Sequence, residues 1–246
     1  ITRLIRDRRV SSDYSQVKEH IAPGAQILRF PFGPKRYIRK ELLWPYLEEL
    51  SDLIVNHLED QQELPDWIHA HYADAGYVGS LVSRRLGIPL VFTGHSLGRE
   101  KQRRMLAAGI DHNQIEQSFS ISRRIEAEEI ALSHSSLVIT STTQEAEHQY
   151  SRYGKYTSNL LEVIPPGVDS KRFHVTHIPQ EDKQVDDLIK PFLRDTSLPP
   201  LLAISRAVQR KNIPTLVETF GRSSVLRQRH NLVLVLGCRE DARNLE

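Results

Sequence analysis

Short apolar blocks rich in β-branched residues alternate along the chain with longer stretches of three- and four-residue apolar spacing. Residues 27–30 (Ile-Leu-Arg-Phe) read as a strand, and residues 40–58 read as one amphipathic helix. A second short strand is expected at 67–70, followed by a helix over about 77–85 that stops at Gly87. Residues 89–93 form a third strand, with Pro89 tolerated at its first position. A long helix over 115–133 leads to a fourth strand at 136–140. Thr142 then looks like a helix cap with Glu145 reaching back to it, and residues 161–164 close this half of the chain. Strands alternating with helices imply crossover units and a parallel sheet covered on both faces. Such sheets gather ligands at the carboxyl ends of their strands. The residues immediately after each strand therefore carry the most functional weight.

The run Pro165-Pro166-Gly167-Val168-Asp169 interrupts this rhythm. A polar stretch with a helical segment near 185–193 follows. A new strand (201–204), a helix (214–220) and another strand (232–236) then read as the opening unit of a second sheet. No internal repeat and no low-complexity segment is visible.

Composition narrows the class. The chain has 246 residues, 39% of them hydrophobic and 26% charged, as in soluble globular proteins. No apolar run nears the roughly 20 residues that span a bilayer, so no membrane partner is expected. The opening Ile1-Thr2-Arg3-Leu4-Ile5-Arg6 does not read as a signal peptide. The single cysteine, Cys238, leaves no internal disulfide or multi-cysteine metal site and suits a reducing, cytoplasmic setting. Net charge is only +2. The cations cluster at Lys35-Arg36 with Arg39-Lys40, from Arg99 to Arg104, at Arg123-Arg124 and from Arg206 to Lys211. Local clusters in a near-neutral chain fit a small anionic ligand better than a nucleic acid.

Gly94-His95-Ser96-Leu97-Gly98 follows a strand and matches the nucleophile elbow of α/β-hydrolases, with Ser96 as the nucleophile. An elbow needs small apolar residues after it, whereas here Arg99-Glu100-Lys101-Gln102-Arg103-Arg104 follow, and no oxyanion-forming HGGG segment precedes it. The same glycines would equally let the backbone approach a ligand, with His95 and Lys101 offering polar groups. His95 could also be a structural histidine under a loop. In Arg123-Arg124-Ile125-Glu126-Ala127-Glu128-Glu129, Arg124 and Glu128 have the spacing of a helical ion pair. The two adjacent arginines point about 100° apart, so they need not serve one ligand. Arg206 and Lys211 lie just after the first strand of the second sheet, where two cations suit a diphosphate.

Taken in order, several segments resemble the sucrose-phosphate synthases. They are Phe30-Pro31-Phe32-Gly33-Pro34 with Lys40-Glu41-Leu42-Leu43-Trp44-Pro45, His69-Ala70-His71-Tyr72-Ala73-Asp74-Ala75-Gly76 and Thr93-Gly94-His95-Ser96-Leu97-Gly98-Arg99. The Arg123 to Glu129 run, Val138-Ile139-Thr140-Ser141-Thr142 and Val163-Ile164-Pro165-Pro166-Gly167-Val168-Asp169 continue the likeness. That family comprises retaining glycosyltransferases of the α/β GT-B fold, with two Rossmann-like domains. The resemblance implies an acceptor-side domain over 1–183 lacking its first strand, and the start of a donor-side domain over 184–246. It implies transfer of glucose from UDP-glucose to fructose 6-phosphate, giving sucrose 6-phosphate and UDP. Lys40, Tyr72, Lys101, Arg123 and Arg124 match acceptor-side positions, and His95 matches a histidine near the transferred glucose. Arg206 and Lys211 match the pair that grips the donor diphosphate and assists departure of UDP. No metal site and no cofactor is implied, with stimulation by Mg2+ left open, and a sucrose-phosphate phosphatase is the expected partner.

The family's glycine-rich acceptor loop would lie before Ile1, and its acidic donor motif after Glu246. Ala207-Val208 stand where the family commonly has an acidic residue. Residues 1–246 by themselves are therefore expected to be inactive. Sucrose synthase or another GT-B sugar transferase is the alternative within the fold. A regulatory, catalytically silent sugar-phosphate binder is the alternative outside catalysis, and a Ser96 hydrolase is the remote one.

Overall fold

The computed structural model describes residues 1–62, 64–174 and 179–237, so the expectations for Cys238 concern a residue outside those described. The chain divides into two compact units, Ile1–Gly167 and Val168–Glu246.

The first unit opens with β1 (Thr2–Arg3), β2 (Lys18–Ala22) and β3 (Ala25–Phe30), forming a small sheet in the order β1-β3-β2. β2 and β3 are an antiparallel hairpin joined at Pro23-Gly24, where Gly24 has φ +74°. The expected strand at 27–30 is present, but its hairpin partner is not visible in the hydrophobic pattern. β2 reads Lys-Glu-His-Ile-Ala and is largely exposed, so no buried face marks it.

The expected single helix over 40–58 is instead two 3-10 turns, Lys40–Leu42 and Trp44–Tyr46, followed by α1 (Leu47–Gln61). Pro45 accounts for the difference. It lacks the N–H that a continuous helix needs and disfavours helical backbone at the residue before it.

Four parallel strands then form the main sheet in the order β4 (Ile68–His71), β5 (Leu90–Thr93), β6 (Leu137–Thr140) and β7 (Leu161–Val163). The parallel sheet expected from the alternating pattern is thus present. All four residues of β5 are buried, as an unbroken apolar run between two neighbours requires. α2 (Tyr72–Leu86) packs between this sheet and its neighbours, α1 on one side and α5 (Ile121–His134) on the other. Gly76 makes that approach feasible: a Cβ there would lie 2.6 Å from the Phe92 ring and 2.9 Å from Ala131. One apolar cluster joins Leu90, Phe92, Leu132, Val138, Tyr150 and Tyr153. A second joins Phe32, Leu47, Ile54, Val55, Val78 and Val82.

The helix expected over 115–133 is broken. α4 (His112–Phe119) ends where Ser120 takes a left-handed conformation at φ 46°. The Glu116 carboxylate then accepts from the Ser122 N–H and hydroxyl, starting α5. α3 (Gly98–Ala107), which the charged run 99–104 concealed, follows β5 directly. α6 (Thr143–His148) starts as expected, with the Thr142 side chain accepting from the Glu145 N–H. The Glu145 carboxylate reaches one residue further back than expected, to the Ser141 N–H.

The second unit contains α7 (Pro179–Ile189), β8 (Pro200–Arg206), α8 (Ile213–Arg222), α9 (Ser224–Arg229) and β9 (Asn231–Gly237). β8 and β9 pair in parallel over seven residues. Among its described residues only Asn231 is buried. Leu202, Ile204 and Val235 are exposed, as is Phe192.

Candidate functional site

The carboxyl ends of β4 and β5 carry an exposed row of imidazoles. His69 Nε2 is hydrogen-bonded to Thr93 Oγ1 at 2.9 Å, across the β4–β5 pair. The His71 ring lies 4.2 Å from that of His69, and His71 Nδ1 meets His95 Nε2 at 2.8 Å. Tyr72 covers His95 with ring centroids 4.8 Å apart. Burial lowers the pKa of His69, with repulsion from His95 adding to it. His71 is lowered by burial and then by repulsion from His69 and His95.

Tyr72 and His95 both have positive φ, 68° and 55°. Non-glycine residues held there are strained and concentrate at functional sites. His95 is the middle residue of a three-residue turn closed by the Ser96 N–H donating to the Gly94 carbonyl at 2.6 Å. Sequence inspection marks His95 by its position after a strand. It does not mark His69 and His71, whose association depends on the register of two strands.

The Gly94–Gly98 loop is fastened from beneath. The Gly98 N–H donates to both oxygens of Glu128, at 3.1 and 2.8 Å, and the Arg99 N–H donates to the Tyr153 hydroxyl at 3.0 Å. Glu128 is fully buried, and it also accepts from Tyr153 and, at 3.0 Å, from Arg124 Nε. Burial raises the Glu128 pKa, while Tyr153, Arg124 and Gly98 oppose that rise. A Cβ at position 98 would lie 2.9 Å from Glu128 Oε2, so glycine is what lets the carboxylate reach the amide. The helical spacing of Arg124 and Glu128 does produce an ion pair. Arg124 also donates to the Ser96 carbonyl, which ties the loop to α5 from its other side.

Ser96 itself is exposed, and among the described residues no histidine is hydrogen-bonded to its hydroxyl. The arrangement lacks the serine–base pair of a hydrolase.

Lys101 sits one turn into α3, with its ammonium 3.4 Å from the centroid of the Phe119 ring. Burial is the largest cause pulling its pKa down to about 8. Arg124 and Lys40 lower it further, and Glu41 opposes them. Lys40, Lys101 and Arg124 therefore share one electrostatic neighbourhood, although 84 residues separate the outer two. Arg123 points elsewhere, into a groove of about 240 Å³ lined by Trp44, Glu48, Tyr77 and Glu126. In the second unit, Arg206 ends β8, and Lys211 closes the 3-10 turn Gln209–Lys211 before α8. Both are exposed.

A family model described as the first GT-B domain of sucrose synthase matches residues 1–171. The chain belongs to the sucrose synthase GT-B family. Within this family it is 35% identical to a probable sucrose-phosphate synthase of Arabidopsis thaliana and 35% identical to the sucrose-phosphate synthase of Spinacia oleracea, over 98% of the chain in both cases. It spans 28% and 27% of the length of those relatives. The solved structure of a sucrose-phosphate synthase from Thermosynechococcus elongatus matches with a TM-score of 0.56 at 19% identity, over 90% of this chain and 58% of that one. The catalytic domain of Arabidopsis thaliana starch synthase IV matches at 0.53 and 17%, over 81% of this chain and 47% of that one. The fold is GT-B, as the sequence motifs implied. No helix among the described residues is long and apolar enough to cross a membrane.

Proposed function

We propose that the complete protein transfers glucose from UDP-glucose to fructose 6-phosphate, yielding sucrose 6-phosphate and UDP. One observation carries this reading: Lys101, Lys40 and Arg124 are close enough for the two others to depress the Lys101 pKa. With Arg124 already paired to Glu128 and Glu41 only partly compensating, a phosphate dianion would relieve the remaining repulsion on Lys101. At pH 7 a lysine with a pKa near 8 remains mostly protonated, so the site is charged when the acceptor arrives.

Tyr72 and His95 face the same open end of the sheet and would bound the sugar rings. Arg206 and Lys211 would hold the donor diphosphate and stabilise the charge that develops on departing UDP. This electrostatic assistance needs no covalent nucleophile. The water-soluble, phosphorylated product suits a cytoplasmic enzyme that hands it to a sucrose-phosphate phosphatase.

The description of the matching family model favours a second reading, in which the acceptor is free fructose. Product analysis of the complete protein with UDP-glucose and each acceptor separates the two. The proposal expects fructose 6-phosphate to be strongly preferred. It also expects Lys101→Ala to raise the KM for fructose 6-phosphate far more than that for UDP-glucose. Equal use of free fructose, or an unaltered KM in the variant, would overturn it.

A further inference from the structure

His95 is held by more than its own strained turn. Its Nε2 contacts His71 Nδ1 at 2.8 Å, and the two rings lie nearly edge to edge, with centroids 5.0 Å apart and planes 25° from parallel. A nitrogen–nitrogen contact of that length requires one N–H between the rings, so one imidazole donates and the other accepts. Two imidazolium rings would aim their N–H groups at each other, and the pair therefore accommodates at most one positive charge. Rotating the His95 ring breaks this bond and also parts it from Tyr72, which lies on it at 4.8 Å. His71 is steadied in turn by His69, 4.2 Å away and anchored to Thr93.

We propose that His71 is a positioning residue for His95, fixing its ring orientation and tautomer so that Nδ1 of His95 is the nitrogen presented to the transferred sugar. The inference rests on the reading of this site as the sugar-transfer centre. The nature of the partner matters. A carboxylate bonded to His95 would favour the imidazolium form, whereas a second imidazole does not. A sugar centre that gains positive character as UDP leaves is better served by a neutral ring. The lowered pKa of His71, caused first by burial and then by its two imidazole neighbours, agrees with an uncharged partner for His95.

The test compares His71→Ala and His71→Asn in the complete protein. Asparagine places an amide atom close to the position of Nδ1 and keeps the hydrogen bond. In H71A, kcat should fall by about a hundredfold, the loss typical of a reacting group displaced by about 1 Å. The KM values for both sugars should stay near wild type, and H71N should recover most of kcat. Carbethoxylation of His95 by diethyl pyrocarbonate, followed by mass spectrometry, supplies a readout that needs no substrate. It should run faster in H71A, where Nε2 as well as Nδ1 is open to the reagent, and at the wild-type rate in H71N. An unchanged kcat in H71A, an H71N variant as poor as H71A, or equal labelling of His95 in all three proteins would overturn the proposal. If the complete protein transfers no sugar, the reading of the site fails, and the labelling rates still decide whether His71 holds His95.

Discussion

Replacing Lys101 by methionine should stabilise the protein at neutral pH while weakening its grip on a phosphorylated acceptor. The ammonium is partly buried beside Arg124 and Lys40, and its pKa falls from 10.5 to about 8. That difference corresponds to about 3 kcal/mol against the charged form. Because the group still reaches solvent, the share felt as stability is nearer ~1–2 kcal/mol. The contact with the Phe119 ring offsets roughly 0.5–1 kcal/mol of this. The net gain expected for Lys101→Met at pH 7 is therefore about 1 kcal/mol. The sign with pH follows from a folded pKa below the unfolded one. Below pH 8 the lysine is charged in both states and the full cost applies. Between pH 8 and 10.5 the folded state has released its proton and the cost fades. Urea unfolding of wild type and variant at pH 7 and pH 9.5 should show the advantage of K101M falling to roughly half or less at the higher pH. A variant less stable than wild type at pH 7, or an advantage equal at both pH values, would refute the reasoning. The functional counterpart is a loss of fructose 6-phosphate affinity in the same variant, a stabilising change made at the expense of a strained site.

Three further outcomes follow from the packing around the loop. Ser96→Ala should retain substantial transferase activity and wild-type inertness to fluorophosphonate probes, because loss of a true nucleophile costs about a million-fold. Glu128→Ala should lower stability by about 3–5 kcal/mol in urea unfolding, since it leaves Arg124 buried without its carboxylate and strips the Gly98 amide of its acceptor. Gly76→Ala should cost about 1–3 kcal/mol by thermal or urea unfolding, as the new methyl meets the Phe92 ring and Ala131.

The main sheet was legible because its strands are short, apolar and spaced by helices, and β5 in particular carries no polar residue before Thr93. The breaks within helices were not. Pro45 splits the 40–58 stretch, yet its flanks keep an apolar period that overrides it on inspection. Ser120 leaves the helical region where Glu116 and Ser122 bond across it, a local exchange that periodicity does not record. α3 was hidden by its composition, since six consecutive charged or amide residues show no apolar stripe. At the site, residues marked by a motif, such as His95 and Lys101, stand out individually. Glu128 was visible only as an ion-pair partner of Arg124, and its bond to the Gly98 amide spans 30 residues. The association of His71 with His95 depends on strand register and has no sequence signature.

The pairing of β8 with β9 bears on how the chain melts. Seven residues of each strand are joined by a complete parallel ladder, yet Asn231 is the sole buried residue among those described in that unit. Heat capacity rises on unfolding in proportion to the apolar surface that becomes wet. A unit whose described leucines and valines are half-exposed or exposed has less left to contribute. Per residue, the calorimetric signal of the described residues should therefore be larger in the first unit than in the second. A single Tm fitted to it would describe mainly the larger unit, and two-state arithmetic would misassign the smaller one.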